Sequence, residues 1–204
     1  MKLSNKILSA AAMIIAMICI FSFKNFDNKK TIVIDAGHGG TDFGATVNGI
    51  SEKNITQQIA NKIEDLHLDS DTFEILIIRA ADENMSIEDR AKMVNQINPD
   101  LFVSLHINSS KNSADNGINA YVSPKTDNYQ KSKVIADILL NEVCSPKLTK
   151  GKVQDANFVV LKKTTCPAVL LEIGFMSNEN DLSYISNQVG QTEIAKRIIQ
   201  AVSK

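Results

Sequence analysis

The sequence contains no tryptophan, and aromatic residues make up only 5% of its 204 positions. A surface built on aromatic stacking against sugars or bases is therefore disfavoured. An excess of one charge is also missing: 22 Lys and Arg stand against 23 Asp and Glu, for a net charge of -1. That balance gives no global electrostatic reason to expect nucleic acid as a partner, so any polymer contact must be mostly polar. Cysteine is scarce, with three in the chain, too few for a disulfide framework. Cys144 and Cys166 could pair in an oxidising compartment or stand as independent buried thiols. Neither has a histidine near it in sequence, which weighs against a thiol nucleophile. No internal repeat and no low-complexity tract follows the N-terminal segment.

What is present begins with that segment. Lys2 and Lys6 precede an almost uncharged apolar run from Ile7 to Phe23, and a polar stretch to Lys30 follows. This pattern reads as an export signal, at a length where a secretory signal and a short membrane span overlap. Cys19-Ile20-Phe21-Ser22-Phe23 offers no small-residue cleavage pattern, so retention as an anchor stays open. Lipidation of Cys19 is disfavoured by the bulky residues before it. Residues 1–30 are expected to be a signal peptide or membrane anchor with a linker, and residues 31–204 one catalytic domain. The 44% apolar content suffices for one core. The product is expected to be exported, periplasmic or in the cell envelope, secreted or anchored through residues 7–23, and monomeric.

From Thr31 onward, strand and helix patterns alternate. Thr31 to Asp35, Phe73 to Ile78, Leu101 to Leu105, Gly117 to Val122, Phe158 to Leu161 and Ala168 to Ile173 carry the apolar, β-branched character of strands. Helical spacing marks Glu52 to Leu66, Ser86 to Asn98, Asp127 to Val143, a piece near Glu179 to Ile185, and Thr192 to Val202. Ser86, with Asp89 three residues on, is the expected N-cap of the second helix. The alternation predicts a single α/β domain with a twisted, mostly parallel or mixed sheet and helices on both faces. Functional residues are then expected at the C-terminal ends of strands.

His38 lies just past the first strand, in Asp35-Ala36-Gly37-His38-Gly39-Gly40, and His106 lies at the end of the third, in Ser104-Leu105-His106-Ile107-Asn108. Glu52 opens the first helix, where unpaired amides favour a carboxylate. A catalytic zinc needs three imidazole or carboxylate donors and an open fourth position, and His38, Glu52 and His106 can supply them. Glu172 interrupts the apolar run Ala168-Val169-Leu170-Leu171-Glu172-Ile173. A carboxylate there is costly unless compensated, and a general acid–base role beside a metal site would account for it. Burial would raise its pKa and a nearby cation would lower it. Each residue alone also has a plain structural reading, as a loop histidine, a helix cap or a salt-bridged glutamate; their common edge of the sheet favours one mechanism.

These segments, with Ser51-Glu52-Lys53-Asn54 and Leu170-Leu171-Glu172-Ile173-Gly174-Phe175-Met176-Ser177-Asn178, strongly resemble the zinc-dependent N-acetylmuramoyl-L-alanine amidases of the amidase 3 type. The match runs in order from about Thr31 to Ser203. The resemblance implies a mixed sheet of about six strands flanked by helices, Zn2+ as cofactor, zinc ligands at His38, Glu52 and His106, and a catalytic glutamate at Glu172. It implies hydrolysis of the amide bond between N-acetylmuramic acid and L-alanine, with peptidoglycan or its muropeptide fragments as the partner. A non-catalytic peptidoglycan-binding or regulatory protein, or a zinc peptidase acting on stem peptides, are the alternatives. Some relatives carry a long insertion after the strand equivalent to Gly117 to Val122, with a helix that occludes the zinc. The short connection past Pro124 leaves no room for one, so an open cleft is expected.

Other polar residues are expected to be structural: His67 at a helix end, Arg79 and Arg90 in ion pairs, and Lys147, Lys150, Lys152, Lys162 and Lys163 on a solvated face. Asn108 could orient substrate or close its loop.

Overall fold

The computed structural model describes residues 29–67 and 72–204. The apolar run of residues 7–23 lies outside them. Among the described residues no helix is long and apolar enough to cross a membrane.

The elements follow in the order β1 (Lys30–Ala36), β2 (Thr46–Val47), β3 (Ile50–Ser51), α1 (Glu52–His67), β4 (Phe73–Ile77), α2 (Ile87–Ile97), β5 (Leu101–Asn108) and β6 (Ile118–Val122). They continue with α3 (Tyr129–Val143), β7 (Lys150–Asp155), α4 (Val159–Lys163), β8 (Ala168–Phe175), α5 (Glu179–Ile185) and α6 (Gln188–Val202). Six strands form one mixed sheet in the order β4-β1-β5-β8-β6-β7, and β2 and β3 form a small separate hairpin. All pairings in the large sheet are parallel except β6 with β8.

Central strands of such a sheet are covered on both faces and need apolar residues at consecutive positions. β1, β5 and β8 meet that requirement, and the alternation of side chains then sorts the core into two layers. Ile32, Ile34, Val103, Leu105, Val169 and Leu171 face one layer, packed with Ile59 of α1, Leu139 of α3 and Ile198 of α6. Val33, Phe102, Ala168 and Leu170 face the other, covered by Val94 of α2 and by Val160 and Leu161 of α4. Each fully buried Ile, Leu or Phe contributes about 1.5–3 kcal/mol. By the same alternation Ser104, His106 and Glu172 share the α2/α4 side, at the C-terminal edge.

Ser86 is the N-cap of α2, its hydroxyl accepting from the Asp89 amide at 3.1 Å, and Asn98 closes that helix in the left-handed region at φ 52°. Two expectations are corrected. Phe158 to Leu161 is not a strand: a helical turn sets the adjacent Val160 and Leu161 both against the core, whereas a strand would send them to opposite faces. The sixth strand is instead β7, whose sequence Lys-Gly-Lys-Val-Gln-Asp carries almost no apolar signal because it lies at the sheet edge with its lysines exposed. Charged residues on an edge strand discourage pairing with other chains.

Candidate metal centre

His38 follows β1 with a φ of 62°, in the left-handed region that a side chain with a Cβ rarely adopts. Two guanidinium groups hold the backbone there. Arg79, with no exposed surface, donates to the carbonyls of Ala36 at 2.7 Å and of Gly37 at 3.1 Å, and to that of Lys53 at 3.1 Å. Arg90 donates to the carbonyls of Ala36 and His38 and pairs with Asp35, which also accepts from the Ser104 hydroxyl at 2.8 Å. Three consecutive carbonyls are thereby gripped, and the imidazole of His38 is aimed across the end of the sheet.

The Gly37 amide donates to the Leu105 carbonyl at 2.9 Å, tying this loop to the strand that bears His106. A Cβ on Gly37 would fall 2.5 Å from His106 Cε1, and a Cβ on Gly44 would fall 2.5 Å from Glu52 Oε2. Glycine is required at both places because the imidazole and the carboxylate occupy that space.

Glu52, at the first position of α1, is 4% exposed. Its Oε2 accepts from the Ala45 amide at 2.9 Å and its Oε1 from the Ile107 amide at 2.9 Å. The same Oε1 lies 3.0 Å from His38 Nε2 and 2.9 Å from His106 Nδ1. The two rings meet edge to face, 4.9 Å between centroids. One donor atom from each of His38, Glu52 and His106 falls within 4.8 Å of the others, the one such group among the described residues.

The electrostatics of the cluster favour positive charge. Burial would raise the Glu52 carboxyl, but hydrogen bonds and charge from His106 and His38 bring it well below the ordinary carboxylate range. Burial would lower the His38 imidazolium, yet Glu52 and then Asp42 hold it above its usual 6.5. A carboxylate oxygen shared by two ring nitrogens fits a divalent cation, which would take the place of the protons between them.

Glu172 lies on β8 opposite His106 in the parallel ladder, next to an irregularity of register between His106 and Asn108. Such bulges re-aim side chains at sheet rims. Its Oε2 is buried with no hydrogen-bond partner among the described residues, and burial pushes its pKa up to about 7, with the charges of His106 and His38 pulling down and that of Glu52 pushing up. His38, His106 and Glu172 open into a cavity of about 350 Å³ whose apolar wall includes Met85, Ile87 and Phe158. A larger hollow of about 870 Å³ at the opposite end of the strands, lined by Pro99, Val134 and Pro167, holds no metal-ligating cluster among the described residues.

The other singled-out residues are placed elsewhere. Arg90 makes the expected ion pair, whereas Arg79 serves backbone carbonyls and the Gln57 side chain. Asn108 Oδ1 accepts from the Ser109 amide at 2.7 Å and closes its loop. His67 stacks on Phe73 at 4.6 Å. Lys150 reaches Asn141 and Lys163 reaches Glu88, and Cys144 and Cys166 are free thiols. Asp42, unremarked in the sequence, lies 2.8 Å from His38 Nδ1. Its only signal was its place four residues past His38 in a glycine-rich turn.

Known proteins resemble this chain in both sequence and fold. The Amidase_3 family profile, described as N-acetylmuramoyl-L-alanine amidase, matches residues 32–204. The chain is 31% identical over 173 residues to protein YqiI of Bacillus subtilis strain 168, covering 85% of this chain and 83% of that one. It is 32% identical over 168 residues to N-acetylmuramoyl-L-alanine amidase CwlM of Bacillus licheniformis, covering 81% of this chain but 64% of the longer relative. The crystal structure of N-acetylmuramoyl-L-alanine amidase from Clostridium difficile 630 superimposes with a TM-score of 0.81 at 30% identity, covering 87% of this chain and 96% of that one. With 173 residues inside the family profile and an α/β sheet that overlays on a solved member, this chain belongs to the N-acetylmuramoyl-L-alanine amidases of the Amidase_3 family.

Proposed function

We propose that this protein is a zinc-dependent amidase that cuts the amide bond between N-acetylmuramic acid and L-alanine in peptidoglycan or its muropeptide fragments. The observation that carries the reading is the convergence of His38, Glu52 and His106 within 4.8 Å beside the unpartnered carboxylate oxygen of Glu172. Two imidazoles and a carboxylate are the donor set of a catalytic zinc site that leaves a position open. When bound, the ion supplies Lewis acidity, polarising the scissile carbonyl and making water a better nucleophile near neutral pH.

The chain's own residues do the rest. Glu172 Oε2 takes a proton from the attacking water and returns it to the departing amide nitrogen of L-alanine; burial raises its proton affinity, and the charge of a bound ion would oppose that rise. Met85, Ile87 and Phe158 give the cavity beside that carboxylate an apolar wall. Arg79 and Arg90 hold the His38 backbone and so fix where the substrate carbonyl must lie.

Only residues 123–128 link β6 to α3, so the cleft is open without an activator. The site of action is the cell envelope, reached through the N-terminal segment as signal or anchor. The test is digestion of purified sacculi with and without a chelator, followed by mass identification of the products. Release of intact peptides headed by L-alanine, abolished by the chelator, is expected. Loss of terminal amino acids would replace this reading with a peptidase, and binding without cleavage would replace it with a non-catalytic wall protein.

A further inference from the structure

The loop that carries His38 contains a second carboxylate placed to act on it. Asp42 Oδ2 lies 2.8 Å from His38 Nδ1, while the opposite ring nitrogen, Nε2, faces Glu52 Oε1 at 3.0 Å. The other oxygen of Asp42 accepts from the Gly44 amide at 3.1 Å. Its backbone closes a bridge with Gly39 in both directions at 3.0 Å. One residue further on from Gly44, the Ala45 amide holds Glu52 Oε2 at 2.9 Å. A single short turn therefore fixes the orientation of one imidazole and the free oxygen of the neighbouring carboxylate.

His106 is held differently. Its Nδ1 faces Glu52, and its Nε2 lies where a Cβ on Gly37 would come within 2.6 Å. Among the described residues no carboxylate other than that of Glu52 pairs with it. On the side turned away from Glu52, packing against Gly37 confines the ring of His106, whereas a hydrogen bond to Asp42 holds the ring of His38.

We propose that Asp42 is a positioning residue for the metal site. It accepts the Nδ1 proton of His38, selecting the tautomer whose Nε2 lone pair points to the ion and raising the basicity of that nitrogen. The inference rests on the zinc reading given above. A purely structural role is a poor account of this side chain. It is 66% exposed, and an exposed pair of this kind adds little to folding stability.

The experiment titrates Zn2+ alone against the metal-free chain in competition with a chromophoric chelator, for the wild type, Asp42→Ala, Asp42→Asn and His38→Ala. Melting curves of the metal-free forms and visible spectra of the Co2+-loaded forms are recorded in parallel. The expected result is a Zn2+ affinity weakened by roughly 10- to 100-fold in Asp42→Ala. Asp42→Asn, which keeps an acceptor but loses the charge, should fall between it and the wild type. The metal-free melting temperatures should match, and the Co2+ absorption bands of the variants should shift. If Asp42→Ala binds within twofold of the wild type while His38→Ala loses the ion, Asp42 has no such role and the zinc reading stands. Loss of metal-free stability in step with affinity, in Asp42→Asn as well, would make the residue structural. If the wild type takes up no ion, or His38→Ala takes it up equally well, the zinc reading and this inference fall together.

Discussion

Glu172 on β8 stands directly opposite His106 on β5, in register on one face of the parallel ladder. Backbone hydrogen bonds between the two strands set the spacing between these side chains, so neither depends on a mobile loop for its place. An acid–base group held this way needs no induced closure to meet its partner.

Replacing Glu172 by Gln should separate chemistry from metal binding. The variant keeps the shape of the side chain but has no carboxylate to accept a proton, and peptidoglycan cleavage is expected to fall by about 10²- to 10⁴-fold. Its zinc content should stay at the wild-type level, whereas His38→Ala and His106→Ala should lose both zinc and activity. Turnover by Glu172→Gln within tenfold of the wild type would remove the proton-transfer role.

Glu172 was legible because it breaks a local rule, a carboxylate in an apolar strand that needs a compensating partner. His38 in a glycine turn and Glu52 at a helix start are ordinary one by one, and their place at the same edge of the sheet is what marked them. The α2/α4 layer was less legible. Phe158 to Leu161 has the composition of a strand, and only the side from which the core covers it makes it a helix. β7 escaped notice because an exposed edge strand need not carry apolar alternation. Asp42 could not be singled out, because an aspartate beside glycine in a turn is ordinary until its distance to an imidazole is known.

Metal-free stability should respond to pH through Glu172. Burial lifts its pKa from an ordinary 4.5 to about 7, so the folded chain keeps this proton in a range where the unfolded chain has lost it. The stabilisation is fully present below about pH 4.5 and is lost as pH rises towards 7. The full swing is roughly 3 kcal/mol. Glu172→Gln lacks that titration. In the presence of chelator it should gain on the wild type between pH 5 and pH 8, by a few kcal/mol at the upper end. Thermal or denaturant unfolding at the two pH values measures the difference; a variant that instead loses ground as pH rises would contradict the burial of this carboxylate.

Gly37→Ala tests whether the space at that position belongs to His106. The added methyl group would sit 2.5 Å from His106 Cε1, 2.6 Å from Nε2 and 2.7 Å from the Leu105 carbonyl oxygen. The strand carbonyl cannot yield without breaking the ladder, so the ring must move. Zinc affinity is expected to drop by at least about tenfold, with an overpacking cost of about 1–3 kcal/mol. Unchanged affinity by chelator competition would mean that the cluster accommodates a displaced His106.

Arg79 offers the test of how the His38 turn is imposed. Its guanidinium is wholly buried, yet it faces the carbonyls of Ala36, Gly37 and Lys53 and has no carboxylate in ion-pair range among the described residues. Burial lowers its pKa, and the neighbouring charge of Arg90 adds to that, so the cation is tolerated for the donors it provides. Arg79→Met would remove the buried charge, which favours the variant, but would take one donor from each of the Ala36, Gly37 and Lys53 carbonyls, which keep another from Arg90 or Thr56, and one from the Gln57 side-chain oxygen. The lost hydrogen bonds outweigh the removed charge, and a net loss of about 1–3 kcal/mol is expected. The turn at His38 would relax from its positive φ, and zinc affinity should fall with it. Arg79→Lys presents its donors at one point rather than on a planar fork, and should recover part of the stability while leaving affinity impaired. Urea unfolding and zinc competition on the same samples distinguish the two effects. Full stability and full affinity in Arg79→Met would mean that Arg90 and the flanking glycines set the left-handed turn without Arg79.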